Sequence, residues 1–329
     1  MITRKILITG GSGFIGTNLT KEISELDAKI LNIDTAKPKI NFHNSVWCEC
    51  DILDKKKLDT VVNEFMPEYV IHLAARPDIK GERLSDYDVN FDGTSNLLDA
   101  LKSSPVKRAI FTSSQYVNQY GGVITSDDDY APHTVYGESK ILMEKIIKSS
   151  DLHYAWIIIR PTNVWGPWHT RYPFEFWKVL SEHKYFHPSS KTKVIRNYGY
   201  VGNVVWQIIN LLEINVELIN RKTFYVGDLP IDIFEWVNGF SNTLIGKNVR
   251  VVPQNFIRIL ALFGDMLNKF GKEFPITTTR FKNMITGNAA PMEPIFQLLG
   301  NQPFSLYDGI IETVKWMKVY HPKLVKVNE

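Results

Sequence analysis

The sequence predicts an α/β fold, a doubly wound parallel sheet with a smaller, mostly helical C-terminal lobe. Three observations carry that expectation. Short β-branched runs alternate with segments of helical spacing through the first half of the chain. The run Tyr154-Ala-Trp-Ile-Ile-Ile-Arg160 is apolar almost throughout, as a central strand covered on both faces should be. A glycine cluster, Gly10-Gly-Ser-Gly13 followed by Gly16, joins the first apolar run to the first helical segment.

The first strand is expected at residues 6–8, and the glycines follow it directly. Such a turn lets a backbone approach a pyrophosphate, because a Cβ at these positions would block the contact. The helix beginning near Phe14 then directs its free N–H groups and the positive end of its dipole at the phosphates. A second strand at 30–33 ends in Asp34, about 20 positions after the glycines, where an acidic residue holds a ribose 2′-hydroxyl. A carboxylate there repels a 2′-phosphate, so the pattern favours NAD over NADP and a Rossmann-type fold. Further strands are expected at 46–50, 69–73, 109–112 and 155–159, with helices at 13–26, 55–65, 84–101 and 136–147. Right-handed crossovers between them give a parallel sheet.

After Pro161 proline and aromatic residues become frequent (Pro167, Trp168, Tyr172, Pro173, Phe174, Phe176, Trp177) and the strand–helix rhythm breaks. It returns at 223–226 and 231–244, and from about Val249 short helices and loops are expected. The division that follows is a dinucleotide-binding lobe of 1–165 plus about 196–247, and a substrate lobe of about 166–195 plus 248–329. Within the latter, the segment 256–270 is hydrophobic nearly all round. It is expected to bury against the substrate lobe, with a membrane or a partner enzyme as the alternative contact.

A formal charge of +3 on 329 residues is too mild for nucleic acid or an anionic membrane as the main partner. No signal peptide opens the chain and no run approaches the length of an integral membrane segment, so a cytoplasmic location is expected. Cys48 and Cys50, alternate residues of one strand, read as small buried hydrophobes in a reducing compartment. His72, His133 and His169 are scattered without ligand spacing, so no metal is expected. Asp127-Asp-Asp129 reads as a solvated turn.

Tyr136-Gly-Glu-Ser-Lys140 sets a phenol and an ammonium one helical turn apart on one face. A nearby cation favours phenolate, which would lower the tyrosine toward the range of a general base. Upstream, Phe111-Thr-Ser113-Ser114 ends a predicted parallel strand, at the sheet edge where doubly wound folds bind ligands. Ser114 there could hold a substrate hydroxyl or a developing carbonyl.

With these residues the chain resembles the extended short-chain dehydrogenases/reductases, and more narrowly their NAD-dependent nucleotide-sugar epimerase/dehydratase group. The matches run in order: Thr9-Gly-Gly-Ser-Gly-Phe-Ile-Gly16, Asp34, Asp51-Ile52, His72-Leu-Ala-Ala75, Asp88-Val-Asn90, Thr112-Ser-Ser114, Tyr136 with Lys140, and Arg160-Pro-Thr-Asn-Val-Trp-Gly-Pro167. Arg196-Asn-Tyr-Gly-Tyr-Val-Gly-Asn-Val204 is a further match, and beyond residue 248 the similarity fades. The resemblance implies Ser114, Tyr136 and Lys140 as catalytic residues. It implies a cofactor site made by Gly10, Gly13, Phe14, Ile15, Gly16, Asp34, Leu73, Pro161, Tyr136 and Lys140, with Asp51 and Ile52 beside adenine. Ala74 and Ala75 would line the pyrophosphate, and Asn90 would serve structure and cofactor together. Gln115, Asn163, Arg196 and Arg280 would join Ser114 in binding a nucleotide-diphosphate sugar. A homodimer formed through helices near 84–101 and 136–148 is typical of the group.

Departures narrow the chemistry. Where the resembling 4,6-dehydratases carry an Asp-Glu pair, this chain has Gln115 and Tyr116, which cannot perform the elimination. Gly202 and Asn203 replace the usual aspartates, and Asn118-Gln119 interrupt the usual Val-Tyr-Gly. What remains is oxidation and reduction at one carbinol. The expected activity is C4 epimerisation through a transient 4-keto sugar. A 4-ketoreductase consuming NAD(P)H and a non-catalytic dinucleotide-binding protein are the alternatives.

Overall fold

A computed structural model describes residues 4–169, 171–271, 274 and 276–325, and the side chains of Tyr172, Pro173 and Phe174 fall outside that description. The first six strands are β1 (Arg4–Thr9), β2 (Ala28–Asp34), β3 (Trp47–Glu49), β4 (Tyr69–His72), β5 (Arg108–Thr112) and β6 (Ala155–Pro161). They join β11 (Lys222–Val226) in one seven-stranded sheet of order β11-β6-β5-β4-β1-β2-β3, every neighbouring pair parallel. The order reverses between β1 and β4, which makes the sheet doubly wound and opens a crevice at their carboxyl ends. Three two-stranded ribbons sit outside it. They pair β7 (Asn163–Trp165) with β10 (Tyr198–Tyr200), β8 (Phe186–Pro188) with β13 (Arg250–Val252), and β9 (Ile195–Arg196) with β12 (Ile231–Asp232).

Alternation along β1 shows how both faces are covered. Ile6 and Ile8 join one core cluster with Leu19 and Ile23 of α1 (Phe14–Ser24), whereas Leu7 joins the opposite cluster. That second cluster holds Leu58 and Val62 of α2 (Lys55–Phe65), Leu97 of α3 (Asp88–Ala100) and Met143 of α4 (Val135–Ser149). Fully burying side chains of this size contributes about 1.5–3 kcal/mol each, so an inverted register would forfeit a whole face. Cys50 is buried and Cys48 half-buried against this cluster, in line with their reading as hydrophobes, and burial pushes the Cys50 thiol up to about 11.

The later helices are α5 (Tyr172–Ser181), α6 (Val201–Glu213), the short α7 (Val216–Ile219), α8 (Ile233–Ile245), α9 (Gln254–Lys269), α10 (Thr278–Ile285), α11 (Glu293–Leu299) and α12 (Leu306–Tyr320). Mostly short helices were the expectation beyond Val249, with a longer one over 256–270; α9, at 16 residues, is that helix, and α12 adds a second of 15. The start of α12 is fixed by a capping box, in which Ser305 and Asp308 each accept a hydrogen bond from the other's backbone N–H. Its buried Ile310, Val314 and Met317 recur at helical spacing and face the core with Phe240 and Leu244 of α8.

The segment 256–270 also departs from its expected burial. Only Ile257, Ala261 and Gly264 of α9 are buried, packed with Phe281 of α10. A Cβ on Gly264 would lie 2.0 Å from the carbonyl oxygen of Ile276, so glycine sets how closely the returning chain approaches. The other side of α9 leaves Phe256, Ile259, Leu262, Phe263, Met266 and Phe270 exposed.

Candidate active site

The glycine turn leaves β1 with Gly10 at φ +74°, where any Cβ would meet the Ala74 amide nitrogen at 2.6 Å. Gly16 packs α1 onto the turn, and a Cβ there would sit 2.3 Å from the Gly10 carbonyl oxygen. No side chain caps α1, whose N-cap is Gly13, so no side chain takes up its leading N–H groups. At the tip of β2, Asp34 accepts a hydrogen bond from the Ser12 amide at 3.0 Å. A backbone cradle that excludes Cβ atoms, an uncapped helix start and an acidic residue at the second strand tip fit a dinucleotide.

The other positions expected on the cofactor side lie along the same edge. The Leu73 amide donates to the Thr9 carbonyl, and the Ala74 amide donates to the Thr9 hydroxyl, while Ala75 is half-buried in the same segment. Asp51 is exposed and turns its own loop by accepting from the Leu53 amide, and Ile52 is buried against Gly93 of α3. Pro161 ends β6 opposite Val226. Phe14 and Ile15 are half-buried at the start of α1. Asn90 is fully buried: it accepts from the Arg76 amide and donates to the Ser139 hydroxyl, which in turn donates to the Tyr136 carbonyl. It therefore ties the loop after β4 to the helix that carries Tyr136.

Ser114, Tyr136 and Lys140 are all buried beyond the carboxyl end of β5. Thr134 accepts from the Gly137 amide and so fixes where α4 begins, with Tyr136 and Lys140 one turn apart inside it. Burial pushes the Tyr136 phenol up to about 12, partly offset by its hydrogen bond with Ser114. Burial pulls the Lys140 ammonium down to about 7, against the pull of Glu144. The expected lowering of Tyr136 by Lys140 is therefore not what the protein alone provides. The Lys140 ammonium donates to the Thr112 carbonyl at 2.8 Å instead, and burial dominates the phenol.

The expected substrate side is an amide-rich strip beside these groups. The Gln115 amide donates to the Asn163 carbonyl oxygen at 3.0 Å, and the Asn163 amide donates to the Asn197 carbonyl. Tyr116 stacks on His133 and meets the Tyr136 ring edge-on, with centroids 5.9 Å apart. Arg196 is buried at the C-terminal end of α10, donating to the carbonyls of Thr286 and Asn283 and to the Tyr120 hydroxyl, with its guanidinium over the Tyr120 ring. Arg280 lies in the first turn of the same helix, largely exposed and 3.5 Å from Glu175. The two arginines thus sit at opposite ends of α10.

The pairing of two groups beneath the site was not read from the sequence. Glu144 and Arg160 form an ion pair at 2.7 Å with both side chains wholly buried. Glu144 also accepts from Ser113 and Tyr130, and Arg160 donates to Tyr225 and to the Asp127 carbonyl. The turn at 127–129 is solvated as expected at Asp127 and Asp128, which are exposed; the Asp127 backbone carbonyl accepts from Arg160, and Asp129 caps its own turn through Thr125 and Ser126. A charge ending an apolar strand demands a buried partner, and Glu144, one turn past Lys140, was the available signal. His72, between the hydroxyls of Thr9 and Thr94, is held neutral, its pKa lowered to about 3 by burial. Among the described residues no three His, Cys, Asp or Glu side chains gather as metal ligands would.

A family model described as NAD dependent epimerase/dehydratase family matches residues 6–227. An N-acetyl-alpha-D-glucosaminyl-diphospho-ditrans,octacis-undecaprenol 4-epimerase of Escherichia coli O157:H7 is 28% identical over 97% of this chain and 96% of that protein. A UDP-glucose 4-epimerase of Vibrio cholerae is 34% identical over 50% of this chain and 53% of its own. A UDP-glucuronic acid 4-epimerase of Bacillus cereus, solved with UDP-glucuronic acid and NAD, superposes with a TM-score of 0.73 at 21% identity, covering 96% of this chain and all of that one.

Proposed function

The chain belongs to the NAD-dependent epimerase/dehydratase family, and from that premise we propose that it is a 4-epimerase of a diphosphate-linked sugar. The carrying observation is the burial of Ser114, Tyr136 and Lys140 together beside the glycine cradle, with Gln115 and Tyr116 where eliminating relatives have acids. A site with one proton-handling hydroxyl pair and no second acid–base pair supports chemistry at a single carbinol. The relatives named above are 4-epimerases, which supports C4 as the position.

When bound, NAD supplies the acceptor of the C4 hydride and then its donor, so the cycle needs no second cofactor. In this reading Tyr136 removes the proton of the 4-hydroxyl and later returns it. Ser114 hydrogen-bonds the same oxygen in the alcohol and in the ketone. Lys140, one helical turn from Tyr136 and held on the Thr112 carbonyl, would favour the phenolate that forms when Tyr136 loses its proton. Gln115 and Asn163 would offer amides to the sugar, and Arg196 and Arg280 are the proposed contacts to the diphosphate. The proposed lobes remain 1–165 with about 196–247 for cofactor and the rest for substrate.

The carrier of the diphosphate is read in two ways. Nucleotide sugars are the substrates named for most of the 4-epimerase relatives. A polyprenyl carrier is favoured by the Escherichia coli 4-epimerase, whose match covers 97% of this chain. The test is product analysis without added cofactor, offering UDP-N-acetylglucosamine, UDP-glucose and polyprenyl diphosphate N-acetylglucosamine in detergent. A C4 epimer with no net NADH supports the reading and names the carrier. Turnover only of a 4-keto sugar with NAD(P)H would replace it by a ketoreductase, and no turnover of either kind would leave a dinucleotide-binding protein.

A further inference from the structure

We propose that α9 is an interfacial helix that lays its exposed apolar face on an anionic lipid bilayer, bringing the diphosphate side of the cleft to the membrane surface. Phe256, Ile259, Phe263, Met266 and Phe270 recur at three- and four-residue steps, so they form one stripe along the helix, with Leu262 beside it. Each of these six is 47% to 77% exposed, and among the described residues no other helix leaves as many large apolar side chains to solvent. Their burial elsewhere in the fold is closed off, because the opposite side of α9 is already packed on α10 through Ile257, Ala261 and Gly264. Monomeric soluble proteins rarely leave so continuous an apolar patch without a partner.

Charge selects the partner. From residue 247 to 282 the chain carries seven lysines and arginines against two acidic residues, Asp265 and Glu273. Arg258 and Lys269 are exposed along one edge of the apolar stripe, and Lys247, Arg250, Arg280 and Lys282 are exposed on the adjoining segments. Asp265 is turned inward, accepting from the Thr278 amide at the start of α10. An apolar stripe edged by cations matches a headgroup layer with negative charge, each cation adding to the attraction near the surface. A second copy of this chain would bring like charges together at the same edge. Among the described residues no helix is long and apolar enough to cross a membrane, so α9 would lie on the bilayer rather than span it.

The position of α9 gives the contact a purpose. Its neighbour α10 ends on Arg196, whose guanidinium donates to the carbonyls of Asn283 and Thr286. One helical hairpin therefore carries the apolar face on its outer arm and the candidate diphosphate site at the end of its inner arm. A polyprenyl chain leaving that diphosphate would need only the depth of the hairpin to reach lipid. This purpose rests on the diphosphate-sugar reading, whereas bilayer binding itself does not.

The experiment is co-sedimentation of the full chain with vesicles of phosphatidylcholine alone and of phosphatidylcholine with 30 mol% phosphatidylglycerol (a proportion of about one anionic lipid in three). Binding to the anionic vesicles that weakens with salt is expected, with at least ~10-fold weaker partition for Ile259→Glu/Phe263→Glu and a several-fold loss for Arg258→Ala/Lys269→Ala. The milder Ile259→Ser/Phe263→Ser serves if the first variant alters the far-ultraviolet circular dichroism or the content of retained NAD. Wild-type protein that stays in the supernatant, or face variants that bind as wild type does, overturns the proposal. So does a lipid-free dimer that the same substitutions dissociate. Vesicle binding without turnover of any sugar would sink the epimerase reading and leave this one standing.

Discussion

Arg160 Nη2 lies 2.7 Å from Glu144 Oε2, with neither side chain reaching solvent. The pair bridges the last turns of α4 to the end of β6 and hydrogen-bonds Ser113, the neighbour of Ser114. It therefore fixes the angle at which α4 presents Tyr136 and Lys140 to the sheet edge. Removing one partner strands a buried charge, which costs far more than the pair contributes. Arg160→Met is expected to lower stability by about 3–5 kcal/mol in urea unfolding. Arg160→Met combined with Glu144→Gln should recover a substantial part of that loss, and a double variant as unstable as the single one would refute this account.

Tyr136→Phe keeps the ring contacts with Tyr116 and Tyr87 but removes the phenol oxygen that meets Ser114. Turnover of the epimerised sugar is expected to fall at least ~100-fold, the scale of losing a general base, with retained NAD and thermal stability unchanged. Equal turnover in the two proteins, measured by chromatography of the epimers, would take Tyr136 out of the chemistry.

The sheet was legible because each of its strands is announced locally. All seven runs expected from β-branched spacing became strands of one parallel sheet, and residues 55–65 form a helix with the expected bounds. Gly10 and Asp34 were readable too, since a backbone that excludes Cβ leaves glycine as the only choice. Glu144 was not, because its partners come from β5, β6 and the 127–130 loop, and no local pattern joins them. Arg196 was legible as a motif residue but not in its surroundings, since Asn283 and Thr286 arrive from nearly ninety residues away. For α9 the apolar content was visible, and how little of it would be covered was not. Which side of a helix is buried depends on Phe281 and Ile276, supplied by the chain that returns after it.

Acid should destabilise the fold through His72. Its folded pKa is lowered by burial from an ordinary 6.5 to about 3. The unfolded chain therefore binds the extra proton between these two values, so this stabilising contribution is present above pH 6.5 and is lost as pH falls toward 3. One such proton changes stability by at most about 1.4 kcal/mol per pH unit. His72→Asn removes the titrating ring, and its unfolding free energy should fall less steeply than wild type between pH 6.5 and 4.5, whatever its absolute stability. Parallel slopes, measured by urea titration across that range, would show that other groups carry the acid sensitivity.

Gly16 tests the cradle without touching the reacting groups. A Cβ there would sit 2.3 Å from the Gly10 carbonyl oxygen and 2.6 Å from the Gly11 Cα, both backbone atoms that cannot swing aside. Either α1 lifts from the turn or the turn opens, and in both cases the leading N–H groups of α1 no longer converge with the Ser12 amide held by Asp34. Overpacking of this kind costs about 1–3 kcal/mol in stability. The larger expected effect of Gly16→Ala is on cofactor, with NAD retained after gel filtration reduced at least ~10-fold. Asp34→Ala keeps the cradle but frees the Ser12 amide and removes the acceptor at the strand tip, so it should weaken NAD selectively and narrow its preference over NADP. Ultraviolet spectra of the denatured proteins would report the bound dinucleotide. A Gly16→Ala protein that retains NAD as wild type does, with its melting point lowered alone, would make the glycine a packing residue and take the phosphate-binding role from the turn.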